Sequence, residues 1–192
     1  MIIISGGIGS GKSVVSRMLR LMDRFVYDCD MEAKVIMAAD PEVRGFLLSE
    51  FGPDVYLPDG EINKDILRTV IFSDAEKRDA LNSLVHREVR EDVARTVAER
   101  GEDIFVESAI PSTGGLLALA SEVWHVDARE EVRIQRICRR SNISEAQARR
   151  IIESQQQEEK AVFNAGLPVI RIYNNPCDNI MEQLFAHNAE ID

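Results

Sequence analysis

The sequence has few cysteines and contains no long apolar run. Three cysteines occur among 192 residues, namely Cys29, Cys138 and Cys177. Their odd number and wide spacing disfavour a disulfide framework or a zinc site and are typical of a reducing cytoplasm. No charged N-terminal segment leads into an apolar one, and no apolar run approaches the ~20 residues of a membrane helix. We therefore expect a cytoplasmic protein with neither a signal peptide nor a membrane span.

Positive charge is also scarce overall. Lysine and arginine number 23 against 33 acidic residues, which gives a formal net charge of −10. This balance disfavours general binding to nucleic acid or to anionic membranes. The length suits one compact domain with a small insertion, and 45% hydrophobic residues suffice for a core. We expect a monomer or weak homo-oligomer that binds a small molecule.

Short apolar segments alternate with longer helical patterns. Strands are predicted at residues 2–5, 25–28, 103–108, 122–128 and 168–174. Several of these segments are apolar at consecutive positions, as is typical of strands covered on both faces. The alternation predicts an α/β fold with a parallel sheet and right-handed crossovers.

Residues 31–101 interrupt this alternation because they look helical throughout. Asp40 and Pro41 predict a helix start, and Gly52 predicts its end. Ser73 and Glu76 have capping-box spacing and predict a helix that runs to Gly101. A helical insertion between the second and third strands suits a substrate-binding subdomain.

The segment "GGIGSGKS" at residues 6–13 matches G-x-x-x-x-G-K-[ST]. It follows a predicted strand and precedes a helical pattern, which is the context a phosphate-binding loop requires. Its backbone N–H groups are expected to surround phosphate oxygens, with Lys12 at the β- and γ-phosphates and the Ser13 hydroxyl on Mg²⁺. The dinucleotide-binding fingerprint fits less well, because Lys12 or Val14 would replace its last glycine. The predicted nucleotide-binding residues are Gly7, Ile8, Gly9, Ser10, Gly11, Lys12, Ser13 and Val14.

Acidic residues follow two of the predicted strands. Asp28 and Asp30 come at the end of the second strand, where positions i and i+2 of an extended chain face the same way. One of them could orient an acceptor hydroxyl and take its proton, although Asp30 could instead cap the next helix. Glu107 ends the third strand and is either a magnesium ligand or a loop cap.

Arginines are dense between residues 129 and 160. A guanidinium that closes over a transferring phosphoryl group stabilises its charge, and a helical lid can supply one. Most of these arginines are expected to lie on the surface, and one or two are expected to contact phosphate. Ser144 and Gln147 repeat the capping-box spacing within this stretch.

These features together resemble the dephospho-coenzyme A kinase family. The resemblance rests on "GGIGSGKS", "DCD", "DGEINKDILRTVIFSDAEKRDALNSLVH" and "QRICRR". It implies a three-layer P-loop fold with a five-stranded parallel sheet, a helical insertion and a helical lid. The implied reaction transfers the γ-phosphate of ATP, with Mg²⁺, to the ribose 3′-hydroxyl of dephospho-coenzyme A.

The resemblance also implies roles for particular residues. Lys12, Asp30 and Arg140 match catalytic positions, whereas Phe72 and His86 match positions of the acceptor domain. The nucleotide-binding core would comprise residues 1–30 and 102–192, with a lid at roughly 139–160, and the acceptor subdomain residues 31–101. The family often has an acid near the position of Thr113, which this sequence lacks.

Two other functions remain compatible with the residues. The same scaffold could phosphorylate another small molecule or a nucleoside, or it could bind a nucleotide without catalysis. A GTPase is disfavoured because the sequence contains no N-K-x-D segment for guanine.

Overall fold

A five-stranded parallel sheet forms the centre of the structure, a computed structural model that describes residues 1–101 and 104–188. The strands are β1 (Ile2–Ser5), β2 (Val26–Asp28), β3 (Phe105–Glu107), β4 (Glu122–Asp127) and β5 (Val169–Tyr173). Their order in the sheet is β2-β3-β1-β4-β5. The predicted strands and the α/β class are confirmed, although the predicted strand start at residue 103 lies outside the described residues.

Helices connect most of the strands. They are α1 (Lys12–Leu21), α2 (Cys29–Ala39), α3 (Pro41–Phe51), α4 (Lys64–Ser73), α5 (Ala75–Arg100), α6 (Glu130–Ser141), α7 (Glu145–Ser154), α8 (Gln156–Phe163) and α9 (Ile180–Asn188). Among the helices described, none is long and apolar enough to cross a membrane.

The main core lies where the strands pack against helices. Its largest aromatic contact joins Phe105 and Trp124 on non-adjacent strands, edge to face, with ring centroids 5.0 Å apart. The buried members of this core are Ile2, Ile4, Val15, Leu19, Val26, Phe105, Trp124, Val126, Ile172, Ile180 and Leu184. Burial of β1 on both faces explains why its sequence is continuously apolar.

The chain groups into two compact units, one formed by residues 1–28 with those from 96 onward, the other by residues 29–95. In the second unit, Asp40 caps α3 by accepting from the N–H groups of Glu42 and Val43, and Gly52 ends the helix at a φ of 83°. Both predicted helix signals are therefore confirmed.

The second unit is less continuously helical than the sequence indicated. A short 3-10 turn covers Pro53–Val55, and Tyr56 forms an isolated antiparallel bridge with Ile62. The hydroxyl of Tyr56 donates to the carbonyl of Met37 at 2.7 Å, which ties this segment to α2. The bridge was not predicted because it involves too few residues to show a periodic pattern.

The predicted capping box at Ser73 is wrong. Ser73 is the last residue of α4, and its hydroxyl donates to the Val70 carbonyl. Asp74 caps α5 instead, with its Oδ1 accepting from the N–H of Lys77 at 3.0 Å. Serine and aspartate are both strong capping residues, so the sequence alone does not distinguish Ser73 from the adjacent Asp74 as the N-cap. The box at Ser144 and Gln147 is confirmed at the start of α7.

Candidate active site

The loop between β1 and α1 curls because its glycines adopt left-handed conformations. Gly9 has a φ of 79° and Gly11 a φ of 98°, which other residues rarely adopt. The Lys12 side chain folds back over the loop, and its Nζ donates to the Gly6 carbonyl at 2.5 Å. The ammonium group of Lys12 is therefore held against the start of the loop.

Side chains from α6 donate to carbonyl groups of the loop. Arg133 Nε donates to the Ile8 carbonyl at 3.0 Å, and Arg136 Nη1 donates to the carbonyls of Gly9 and Ser10, each at 3.1 Å. In a trans peptide the carbonyl and the following N–H point in opposite directions. Anchoring the Gly9 and Ser10 carbonyls on Arg136 therefore turns the N–H groups of the next residues to the opposite side, as phosphate binding requires.

Asn174, directly after β5, completes this anchoring. Its Nδ2 donates to the Ser10 carbonyl at 2.7 Å, while its own carbonyl accepts from Arg136 Nη2 at 2.8 Å. A Cβ atom at Gly11 would lie 2.0 Å from Asn174 Nδ2. Glycine is therefore required at position 11 both by backbone conformation and by this close approach.

Helix α1 begins directly at the loop and points its N-terminus toward it. Ser13 is exposed in the first turn, and Val14 is 42% exposed. An exposed hydroxyl beside the positive end of a helix suits contact with a phosphate-bound cation.

Two carboxylates lie at the ends of neighbouring strands. Asp28 of β2 pairs in register with Glu107 of β3. Burial raises the pKa of Glu107, and Asp28 raises it further, whereas the Ser16 hydroxyl, Lys12 and Arg20 lower it. Glu107 Oε2 is buried and has no hydrogen-bond partner in the described part of the chain.

These groups fit a magnesium ion that is bound partly by its nucleotide. Glu107 Oε2 lacks a partner, and Mg²⁺ in kinases is typically bound by one or two carboxylates plus substrate phosphates. No group of three or more histidine, cysteine, aspartate or glutamate side chains within residues 1–101 and 104–188 could bind a metal alone. The donor set therefore suits a metal that arrives with phosphate oxygens.

His125 lies beneath the loop on β4. It is 4% exposed, and its Nδ1 lies 2.9 Å from the Ser5 hydroxyl. Burial lowers its pKa to about 4, with Arg171, Lys12 and Arg133 adding to the effect and Asp127 opposing it. The histidine is therefore neutral at physiological pH.

A narrow cleft opens beside the loop. Its walls include Gly6 and Gly7, His125, and side chains from the start of α8. Glu158 of α8 accepts from the N–H of Ser112 at 2.5 Å and from the Thr113 hydroxyl at 2.6 Å. The sequence has no acid near Thr113 itself, but the fold brings the Glu158 carboxylate to that position.

The structure brings together the loop residues, Lys12, Asp28 and Glu107 within the first unit. Arg140 is exposed in the last turn of α6. Asp30 is exposed in the first turn of α2, Phe72 is 82% exposed in α4, and His86 is half-buried in α5. Those three side chains belong to the second unit.

The alternation argument for Asp28 and Asp30 is wrong. Strand β2 ends at Asp28, and α2 begins at Cys29, so the chain is not extended across the pair. The two carboxylates therefore do not share one side of a strand.

Sequence reasoning missed four residues that contact the loop backbone. Arg133, Arg136, Gln155 and Asn174 are far from the loop in sequence, and no spacing rule links them to it. The one available signal was the density of arginines after residue 129, with Arg133 beside apolar Ile134 and Ile137 on the buried face of α6.

The fold and the loop define a nucleotide-binding protein of the P-loop kinase class. A protein of Thermus thermophilus superimposes with a TM-score of 0.76 and 26% identity, covering 100% of this chain and 97% of its own. A dephospho-CoA kinase of Campylobacter jejuni superimposes with a TM-score of 0.71 over 98% of this chain and 96% of its own; at 18% identity it supports the fold alone.

Sequence comparison identifies the family within this class. The model of the dephospho-CoA kinase family matches residues 1–174, and the chain belongs to that family. The dephospho-CoA kinase of Porphyromonas gingivalis is 38% identical over 157 residues, which is 81% of this chain and 77% of that protein. Family membership makes the protein a kinase and confirms the resemblance seen in the sequence.

Proposed function

We propose that this protein transfers the γ-phosphate of ATP to the ribose 3′-hydroxyl of dephospho-coenzyme A, giving coenzyme A and ADP. The observation that carries the proposal is the family match over residues 1–174, which includes the phosphate loop. The loop geometry supports it, because Arg133 and Arg136 anchor its carbonyls and Lys12 donates to the Gly6 carbonyl at its start.

ATP would bind with its phosphates on the loop residues Gly7 to Val14. Lys12 would contact the β- and γ-phosphates, and the positive N-terminal end of α1 would stabilise their negative charge. Ser13 and Glu107 would hold Mg²⁺, which when bound neutralises charge on the phosphate oxygens.

Acidic and apolar residues after β2 would bind and activate the acceptor. Asp30 would accept the proton of the 3′-hydroxyl as that oxygen attacks phosphorus, and Asp28 would support it. Arg140 would stabilise the charge on the transferring group. Phe72, an exposed phenyl ring, and His86 would contact the acceptor within a subdomain of residues 31–101.

The remaining assignments follow from the same proposal. Residues 1–30 and 102–192 would form the nucleotide-binding core, with residues 139–160 as its lid. The enzyme would act in the cytoplasm as a monomer or weak homo-oligomer, without nucleic acid or membrane partners. Light scattering on the purified chain measures the oligomeric state.

The test follows ADP release with dephospho-coenzyme A as the acceptor. Wild type should release ADP and form a product that is phosphorylated at the 3′ position, as identified by mass spectrometry. Asp30→Asn should reduce turnover by about 100-fold or more, because the general base is lost. Asp54→Asn, which removes an exposed carboxylate of the same unit, is the matched control and should retain wild-type turnover.

Each outcome decides a different part of the proposal. Equal rates for wild type and Asp30→Asn would remove Asp30 from its role. Absence of ADP release with dephospho-coenzyme A, but release with a nucleoside or another alcohol, would favour a different kinase on this scaffold. ATP binding without turnover on any acceptor would favour a nucleotide-binding protein without catalysis.

A further inference from the structure

An ion pair between a buried arginine and a partly exposed glutamate lies directly on the phosphate loop. Arg133 of α6 is 7% exposed, and its Nη2 lies 3.2 Å from Oε1 of Glu159 in α8. A Cβ atom at Gly7 would lie 1.9 Å from Arg133 Nη2 and 2.3 Å from Glu159 Oε1. The pair therefore packs against the loop backbone in space that only a glycine leaves open.

This ion pair is poorly satisfied by hydrogen bonds. Neither Arg133 Nη2 nor Glu159 Oε1 has a hydrogen-bond partner among the residues described. The guanidinium is held in place by Nε, which donates to the Ile8 carbonyl. Buried charges are stable only when paired and fully hydrogen-bonded, and a guanidinium matches the oxygens of a phosphate well. The guanidinium of Arg133 thus retains, beside the loop, an N–H donor at Nη2 that could bind an anion.

A second protein oxygen occupies the loop next to this pair. Gln155 Oε1 accepts from the N–H of Ile8 at 2.7 Å. In a phosphate loop, such N–H groups bind phosphate oxygens. Gln155 and Glu159 lie four residues apart at the start of α8, so one helical turn supplies both oxygens.

We propose that Arg133 is a further phosphate-binding residue and that Glu159 is its exchangeable counterion. Phosphate oxygens of the nucleotide replace Glu159 Oε1 on Arg133 and Gln155 Oε1 on the Ile8 N–H. This inference rests on the proposed use of ATP. Arg133 therefore favours nucleotide binding, whereas Glu159 competes with it.

The test compares the direction in which two charge-removing substitutions change the affinity for ATP and ADP. Calorimetry measures these affinities without any acceptor present. Arg133→Gln should weaken binding by about 10- to 100-fold, because a charge-assisted hydrogen bond is lost. Glu159→Gln should tighten binding by about threefold or more, because a carboxylate no longer competes with phosphate. Opposite effects from the two partners of one ion pair are the expected result.

An exposed ion pair on the neighbouring helices supplies the matched controls. Arg149 of α7 pairs with Glu130 of α6, and their side chains are 50% and 53% exposed. Arg149→Gln and Glu130→Gln change the net charge as the test variants do. Their nucleotide affinities should stay within about twofold of wild type, since exposed pairs contribute little.

A purely structural ion pair would give a different pattern. Both test variants would then lose stability, and neither would bind nucleotide more tightly. Under the proposal, Glu159→Gln lowers the melting temperature without nucleotide, because the buried guanidinium of Arg133 loses its counterion, but ATP raises that temperature more than in wild type.

Two further outcomes keep this inference separate from the proposed reaction. If Arg133→Gln does not fold, Glu159→Gln decides alone: tighter ATP binding supports the inference, and unchanged or weaker binding overturns it. If the opposite signs are found but dephospho-coenzyme A is not phosphorylated, the inference stands while the proposed acceptor fails.

Discussion

Glu107 is a carboxylate placed where a charge is costly unless a cation accompanies it. Burial raises its pKa, Asp28 adds to that effect, and Oε2 has no hydrogen-bond partner among the described residues. Because the folded protein holds this proton more tightly than the unfolded chain, the associated stability is lost as the pH rises through the folded-state pKa. At neutral pH, the Glu107 carboxylate therefore reduces stability, and we propose that it is retained because it binds Mg²⁺.

Replacing Glu107 by glutamine should separate stability from activity. Glu107→Gln should raise the free energy of unfolding at neutral pH by about 1 kcal/mol in urea titrations without ligands, because a neutral amide is less costly to bury. Turnover with ATP and Mg²⁺ should fall by about 100-fold, because a metal ligand is lost. Glu99→Gln, at an exposed position of α5, should change neither quantity. A less stable Glu107→Gln variant, or one with wild-type turnover, would contradict this view.

His125 predicts how stability depends on pH. Its pKa is about 4 in the folded protein, against an ordinary value of 6.5 for histidine. The unfolded chain therefore binds a proton in a pH range where the folded protein does not, and stability falls as the pH drops from about 6.5 toward about 4.

The expected loss can be measured against a variant without the imidazole. Between pH 7.5 and pH 5, wild type should lose about 2 kcal/mol of unfolding free energy more than His125→Asn, since asparagine does not titrate. Denaturant unfolding at the two pH values measures this difference. Loss of the ring makes the variant less stable at both pH values, so the informative quantity is how the difference in unfolding free energy between the two proteins changes with pH. A difference that stays constant would refute the lowered pKa of His125.

The phosphate loop is the element whose shape depends most on contacts made by other elements. Arg136 Nη1 and Nη2 together donate to the carbonyls of Gly9, Ser10 and Asn174. Lysine can replace the charge of Arg136 but not the planar arrangement of its donors.

Arg136→Lys should therefore affect nucleotide binding more than the chemical step. The KM for ATP should rise by about tenfold or more, because the loop carbonyls of Gly9 and Ser10 lose their hydrogen bonds to Arg136 and the N–H groups are less well oriented. The value of kcat at saturating ATP should change by less than about threefold. Steady-state kinetics of wild type and Arg139→Lys, an exposed arginine on the same helix, provide the comparison. A drop in kcat with unchanged KM would show that Arg136 does not act through the loop.

Elements with strong local signals were predictable from the sequence. The five strands were recognisable from short apolar runs, and the loop from its glycines, Lys12 and Ser13. Local signals failed where two neighbouring residues were equally suitable, as with Ser73 and Asp74 at the start of α5. They also failed at Cys29, where a helix begins directly after a strand without a turn residue to mark it.

The surroundings of the loop could not be predicted from spacing. Ile8 contacts Arg133, which is 125 residues away, and Ser10 contacts Asn174 across 164 residues. Such contacts depend on the order of strands in the sheet, which places β4 beside β1 and β5 beside β4. Without that order, an arginine-rich helix gives no indication of which arginines face the loop.

At the scale of the molecule, an acidic chain binds an anionic ligand. The formal net charge is −10, so long-range electrostatics does not draw the anionic nucleotide to the protein. Positive groups are instead concentrated at the loop, where Lys12, Arg133 and Arg136 all bond to its carbonyl groups. Binding then depends on local hydrogen bonds and should be linked to the stability of the folded chain.

That linkage gives a test on the intact protein. ATP at about 100 times its dissociation constant should stabilise the folded state by about 2.7 kcal/mol, which raises the melting temperature of a chain of this size by about 5–10 °C. Lys12→Met should lose most of this rise, because it lacks the ammonium group that we propose contacts the β- and γ-phosphates. The melting temperature without ligand also changes in this variant, since Lys12 donates to the Gly6 carbonyl, so the ATP-induced shift is the quantity compared. Dephospho-coenzyme A alone serves as the control ligand and should stabilise wild type and Lys12→Met equally. An ATP-induced shift of the same size in both proteins would show that nucleotide binds away from the loop.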